Sequence, residues 1–171
     1  IGMLSLSSCS ESFFDRYPTD SLTVENYMKT TDEVKTVLYA AYAGMRGAFA
    51  NSVVYIGELT TDNAYDYKLN NATQYIALNE SNVDPQNTIM SDLWYSSYQV
   101  INRCCLVIES MDKLESSQDV YNQLVGEAKF LRAYTYYVMV RVWGDVPLVT
   151  KDITDYMEVF EYGRTPVSEI Y

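Results

Sequence analysis

The chain has 171 residues, of which 48% are hydrophobic and 20% charged, enough for one compact domain or for part of a larger one. Its net charge of −11 would repel nucleic-acid phosphates, and the sequence contains no histidine. Histidine-dependent nucleophilic sites and histidine-ligated zinc are therefore excluded within these residues, and nucleic acid is not an expected partner.

The first eight residues form an uncharged run of apolar and small side chains, typical of the end of a secretory signal peptide. Leu6, Ser7 and Ser8 precede Cys9 in the order of a bacterial lipobox. We therefore expect residues 1–8 to be a signal-peptide remnant and residues 9–30 to be a tether lipidated on Cys9, with this lipid as the only attachment to the membrane. The alternative is an unmodified cysteine in an unstructured start.

A first amphipathic helix is predicted after Thr30, because Thr30 and Glu33 fit a capping box. Apolar residues then recur at helical spacing: Val34, Val37, Leu38, Ala41 and Met45. We expect this helix to fade near Gly44 or Gly47, since glycine readily adopts the left-handed conformation that closes helices.

The helical pattern weakens over residues 51–87, which are rich in tyrosine, asparagine and threonine. This predicts a long irregular connection with one short helix over about residues 72–78, and connections of such length are often functional. Residues 51–56 and 146–149 are short β-like runs, but neither alternates cleanly between apolar and polar side chains.

Two long helices are predicted in the second half, over residues 91–114 and from a cap at Ser116 or Ser117 to a stop at Gly144 and Pro147. They should form an antiparallel hairpin. Thr165 and Pro166 resemble the start of a further helix, within which we expect the chain to be cut. The predicted class is all-α, with tetratricopeptide-like stacked helical hairpins and a long irregular loop. The neighbouring Cys104 and Cys105 are expected to be buried free thiols.

Ligand-binding side chains are expected in the loop at residues 60–71 and just after it. Tyrosine rings stack on the apolar faces of sugars, while amides and carboxylates bond sugar hydroxyls, which suits a neutral glycan. The candidates are Asn63, Tyr65, Asp66, Tyr67, Asn70, Asn71 and Tyr75. The alternative is a solvated turn without a ligand.

Three segments in order resemble the SusD/RagB family of outer-membrane nutrient-binding lipoproteins. Cys9 followed by residues 13–18 is similar to the family's lipidated cysteine and its "FLD..P", and residues 93–104 are similar to its "W...Y..I..AN" helix. Residues 126–149 look like its "GEA.FLRA..YF.L...FGDVPL" signature. The chain departs from the pattern at Arg103 and at the two neighbouring cysteines.

The resemblance implies that residues 31–171 form the N-terminal helical domain of a larger SusD-like fold. It also implies a lipoprotein on the exterior of the outer membrane, which captures an oligosaccharide or polysaccharide as a nutrient and passes it to a TonB-dependent SusC-like transporter. No catalysis, cofactor or metal is expected.

The signature contains charged residues that invite a catalytic reading. Glu127 and Arg132 lie five positions apart and point in different directions on a helix, so we expect structural contacts to neighbouring elements instead. Gly144, Asp145 and Pro147 are expected to form the helix stop. A tetratricopeptide-like protein-interaction module without nutrient binding is the main alternative function. A glycoside hydrolase with paired carboxylates is less favoured, because the acidic residues are scattered.

Overall fold

A computed structural model of the protein describes residues 27–66, 73–153 and 155–171. These residues form six α-helices, a π-helical turn at Phe49–Val53 and a 3-10 helix at Tyr156–Glu161. The α-helices are α1 (Thr31–Ala48), α2 (Val54–Leu59), α3 (Thr73–Asn79), α4 (Thr88–Lys113), α5 (Gln118–Trp143) and α6 (Val167–Ile170). The all-α prediction is confirmed. Within the described ranges, β pairing is limited to one isolated antiparallel bridge between Val146 and Thr165.

Helix α1 begins as predicted, because the capping box is present: Thr30 Oγ1 accepts the Glu33 N–H, and the Glu33 carboxylate accepts the Thr30 N–H at 3.0 Å. Of its two predicted ends, the one near Gly47 is confirmed to within one residue, since the helix ends at Ala48 and the chain then passes through the π-helical turn into α2; the end at Gly44 is wrong. A Cβ at Gly44 would lie 3.0 Å from Arg103 Nη1 and from a Val100 methyl group. This glycine therefore permits close approach of α4 and does not stop α1.

Residues 51–56 are helical, so the prediction that the irregular connection begins at residue 51 is wrong, and the β-like run within it forms no strand. The run lacks alternation, and Ser52 alone of the π-helical turn is buried. Its backbone continues from α1 through the π-helical turn into α2. The other β-like run, residues 146–149, contributes only the single bridge at Val146.

Helices α4 and α5 form the predicted antiparallel hairpin, and α1 packs against both. Asn87 caps α4 by accepting the Ile89 N–H, which starts the helix earlier than the sequence pattern indicated. Ser117 caps α5 by accepting the Val120 N–H. Twelve buried residues fill the space between these helices: Met28, Val34, Leu38, Ala41, Val100, Cys104, Val107, Met111, Leu124, Val125, Ala128 and Leu131.

The chain turns back after α5 at Gly144, whose φ of 70° suits glycine, and residues 146–153 lie across the α4–α5 hairpin. Val146 and Val149 are buried there against Ile101, Cys105 and Met139. A third, smaller cluster of Leu59, Leu78 and Ile89 holds α2 and α3 against the start of α4. None of the helices in the described ranges is long and apolar enough to cross a membrane.

Candidate functional site

The predicted ligand loop follows α2, and its described part ends at Asp66. Asn63 lies exposed in a turn in which its N–H donates to Thr61 Oγ1 at 3.3 Å. Tyr65 is also exposed, and Ala64 between them packs against the small cluster under α2 and α3. The loop is thus fastened at its base and presents polar and aromatic side chains outward. Of the other candidates, Tyr67, Asn70 and Asn71 lie outside the described residues.

Tyr75 on α3 is half-buried and pairs with Tyr55 of α2. The two rings meet edge to face, with centroids 4.9 Å apart. Burial raises the pKa of the Tyr75 hydroxyl, and the neighbouring Tyr55 and the Asp66 carboxylate raise it further. The Tyr75 hydroxyl therefore stays protonated at neutral pH and can both donate and accept hydrogen bonds.

Tyr75 and Tyr55 form one wall of a groove of about 620 Å³, which we call the first groove. The end of α1, the π-helical turn and α3 surround it, and its floor is the exposed face of the first half of α4. Three rings line this groove, from Tyr55, Tyr75 and Tyr95. Its polar lining residues are Asn51, Ser52, Gln74, Thr88, Asp92, Ser96 and Gln99. Among the lining residues that the structure describes, Asp92 is the one charged residue, so this lining suits an uncharged, hydroxyl-rich ligand better than an anion.

The sequence pattern pointed to Tyr75 but not to Tyr55, Tyr95 or the polar residues of α4. A signal for the latter was present. Asp92, Tyr95, Ser96 and Gln99 recur at the spacing of one helix face, opposite the apolar face that the prediction used. The wall that Tyr55 and Tyr75 form was not predictable from the pattern of α4, because these residues are distant from α4 in the sequence.

A second groove of about 740 Å³ lies on the other side of Tyr95. One wall comes from α4, and the other from the segment after α5 and from the 3-10 helix. Trp94 is held by an edge-to-face contact with Trp143, with centroids 5.1 Å apart, and the Tyr98 hydroxyl donates to the Pro147 carbonyl at 2.9 Å. The lining residues are Trp94, Tyr95, Tyr98, Gln99, Asn102, Arg103, Pro147, Val149, Ile153, Val159 and Tyr162.

The charged residues of the signature contact different elements. Glu127 accepts hydrogen bonds from the Tyr42 hydroxyl of α1 at 3.0 Å and from Gln123 of its own helix. Arg132 donates to the Thr150 carbonyl at 3.0 Å and to the Cys105 sulfur at 3.3 Å. The structure therefore does not bring Glu127 and Arg132 together, and each links α5 to another part of the fold.

The other signature residues lie in the turn after α5. Gly144 supplies the positive φ, and the Asp145 carboxylate accepts the Val167 N–H at 3.0 Å, which ties the turn to the start of α6. The Pro147 carbonyl accepts the Tyr98 hydroxyl at 2.9 Å and lies 3.3 Å from the Tyr136 hydroxyl. Pro147 is itself a lining residue of the second groove, so these bonds fix part of its wall.

Cys104 and Cys105 are buried free thiols, as predicted. Burial raises the pKa of the Cys104 thiol to about 12, and it also raises that of Cys105 although the Arg132 guanidinium opposes the shift. Both sulfurs are therefore protonated at neutral pH and poor nucleophiles or metal ligands. No group of three or more Cys, Asp or Glu side chains in the described ranges is placed to hold a metal ion.

Comparisons with known proteins identify relatives along nearly the whole chain. The family described as SusD-like_3, "Starch-binding associating with outer membrane", matches residues 13–171. The SusD-like protein P38 of Formosa agariphila is 33% identical over 146 residues, which cover 85% of this chain and 28% of that protein. The SusD-like protein P2 of the same organism is 25% identical over 99% of this chain and 34% of its own length. The chain therefore spans about a third of these relatives.

Two solved structures from Bacteroides fragilis share the fold. A SusD-like protein superposes with a TM-score of 0.71 at 22% identity, covering 91% of this chain and 30% of that structure. A SusD-like carbohydrate-binding protein superposes with a TM-score of 0.64 at 17% identity, covering 84% of this chain and 29% of that structure. At these identities the likeness concerns the fold alone.

Proposed function

This chain belongs to the SusD-like family, and from that premise we propose that it binds carbohydrate in the first groove. The observation that carries the proposal is the lining of this groove, which combines three tyrosine rings with side-chain amides and hydroxyls. Rings of this kind pack on the apolar faces of sugars, and the amides can pair with hydroxyls in either hydrogen-bonding sense. The carbohydrate-binding name of one structural neighbour and the starch-binding description of the family support the same ligand class.

The loop that carries Asn63 and Tyr65 completes the proposed site. Its base follows α2, which supplies Tyr55, and the charge of its Asp66 acts on the Tyr75 hydroxyl of the groove wall. Tyr65 is 66% exposed, so its ring is available to a ligand that extends beyond the groove. We include Tyr67, Asn70 and Asn71 in the proposal from the sequence pattern alone.

The intact protein, in this proposal, is a lipoprotein on the exterior of the outer membrane. Residues 1–8 are the signal remnant, Cys9 carries the lipid, residues 9–30 are the tether and residues 31–171 are the N-terminal part of the SusD-like domain. The groove holds the nutrient, which passes to a TonB-dependent SusC-like transporter without chemical change. The family's description as associating with the outer membrane supports this location.

Affinity electrophoresis of the intact protein tests the carbohydrate proposal directly. Native gels containing starch, xylan, mannan or pectin are compared with a gel without polysaccharide. We expect retardation in at least one gel. Loss of one stacked ring, in Tyr75→Ala or Tyr95→Ala, should lower the affinity by roughly two- to tenfold.

Phe130→Ala is the matched control, because Phe130 is an exposed ring on α5 outside both grooves. Its retardation should equal that of the wild type. Equal retardation of all three variants would remove the first groove as the binding site. Unretarded migration of the wild type in every gel would reject carbohydrate binding itself.

A protein-interaction function is the second candidate, and a strip of exposed rings on α5 favours it. Phe130, Tyr134 and Tyr137 follow one another along the helix with centroids 6.4 and 6.3 Å apart, and each is at least 43% exposed. Aromatic surfaces of this kind are enriched at protein interfaces. This candidate replaces the first only if carbohydrate binding fails in the gels and Phe130→Asp abolishes co-purification of a protein partner, other than the transporter, that the wild-type intact protein retains.

A further inference from the structure

The two grooves share residues, and this sharing bears on the length of ligand that fits. Tyr95 and Gln99 line both grooves, so the grooves adjoin along the exposed face of α4. Tyr95 is 68% exposed and stands at the border between them. Asp92 lines the first groove only and Asn102 the second only, and the ten positions between them correspond to about 15 Å along the helix axis.

The second groove is more apolar than the first, because Trp94, Val149 and Ile153 line it, but it shares two classes of side chain with the first. Both contain tyrosine rings and side-chain amides, here Tyr98, Tyr162 and Asn102. One part of its wall is fixed, because the Tyr98 hydroxyl donates a hydrogen bond to the Pro147 carbonyl. Val159 of the 3-10 helix, at 53% exposed, forms the open side.

The charges of the two grooves are of opposite sign. Asp92 is the charged residue in the lining of the first groove, and Arg103 is the charged residue in the lining of the second. Arg103 also donates to the Ala40 carbonyl at 3.0 Å, which turns part of its guanidinium toward α1. A polymer with the same charge on every unit would be repelled in one of the two grooves, whereas an uncharged polymer would be accepted in both.

We propose that the two grooves act as one continuous site for an extended, uncharged sugar chain, with the Tyr95 ring as the shared platform between them. This inference rests on the proposed function and adds the length and charge class of the ligand. A short oligosaccharide occupies one groove, whereas a longer chain engages both. The second contact is then intramolecular and strengthens binding without a new partner.

The test measures binding of a length series to the intact protein by calorimetry. The ligands are neutral oligosaccharides of two to eight units, prepared from whichever of starch, xylan or mannan retards the wild type in native gels. We expect the affinity to rise by about tenfold or more between the shortest and the longest chains that bind. The variant Val159→Trp, which adds bulk to the open side of the second groove, should remove this rise.

Val120→Trp is the control, because Val120 is an exposed valine of α5 that lines neither groove. It should reproduce the length dependence of the wild type. An affinity that is independent of chain length, or a length dependence that survives in Val159→Trp, overturns the continuous site and leaves the first groove as the binding site. Absence of retardation in every gel overturns the proposed function as well, so the two failures are distinguishable.

Discussion

The hydroxyl of Tyr136 holds the chain segment behind the second groove, and its removal should destabilise the fold measurably. The hydroxyl accepts the Val149 N–H at 2.6 Å, and the carbonyl oxygens of Val149 and Pro147, at 3.1 and 3.3 Å, are alternative acceptors for its single proton. In Tyr136→Phe the ring remains buried, but the Val149 N–H loses this acceptor inside the protein. A buried N–H without a partner costs about 1–3 kcal/mol. The Pro147 carbonyl is less affected, because it keeps the bond from Tyr98.

Urea denaturation of the intact protein, followed by circular dichroism, measures this cost. We expect Tyr136→Phe to lower the free energy of unfolding by about 1–3 kcal/mol with an unchanged dependence on urea concentration. Tyr134→Phe on the same helix is the control, since Tyr134 is 43% exposed, and its stability should stay within about 0.5 kcal/mol of the wild type. Equal stabilities of the two variants would refute the assigned role of the Tyr136 hydroxyl.

Three further predictions concern other parts of the fold. Gly44→Ala should lower the free energy of unfolding by about 0.5–2 kcal/mol in a urea titration, because the new Cβ would lie 3.0 Å from Arg103 Nη1 and from a Val100 methyl group, and this overpacking exceeds the gain of about 1 kcal/mol in helix propensity; an unchanged or raised midpoint would contradict the close approach. Burial, and then the nearby Glu109, raise the pKa of the Asp152 carboxyl in the folded protein above its value in the unfolded chain. The protonated carboxyl therefore stabilises the fold at low pH, and this stabilisation is lost as the pH rises through the pKa of the folded state. Asp152→Asn should therefore gain stability relative to the wild type at pH 7 but not at pH 3, and an equal difference at both values would disprove this. With the third cysteine replaced by serine, Cys104 and Cys105 should resist a thiol reagent at pH 8 until urea is added, and fast labelling of the native protein would show that they are accessible.

The main helices were predictable from the sequence because each carries its own local signals. The capping box at Thr30, the serine cap at Ser117 and the glycine at 144 mark helix ends by chemistry within a few residues. The passage from α1 into α2 lacked such a signal. Glycine can either end a helix or allow a neighbouring helix to approach closely, and Gly44 was interpreted as a helix end. The position of α4 shows that Gly44 allows close approach.

The candidate site was predictable only in part, since its walls come from distant segments. The sequence pointed to the loop and to Tyr75, which lie together and are aromatic and polar. Tyr55 was missed because its run was assigned to the irregular connection ahead of the predicted ligand loop, and Tyr95 was missed because α4 was described by its apolar face. Pairing of Tyr55 with Tyr75 depends on how α2 packs on α3, which is a tertiary property and leaves no local pattern.

The turn after α5 both stabilises the fold and lines the second groove. Residues 147–149 are bound to the core through the tyrosine hydroxyls of α4 and α5, and Pro147 and Val149 are also lining residues of the second groove. A substitution that moved this wall to admit a different ligand would break buried bonds and lose stability. Adaptation to new ligands is therefore less costly at the open side, where Val159 is exposed and a change of side chain leaves the core intact. Paralogues that bind different ligands should therefore differ more often at the position of Val159 than in residues 147–149.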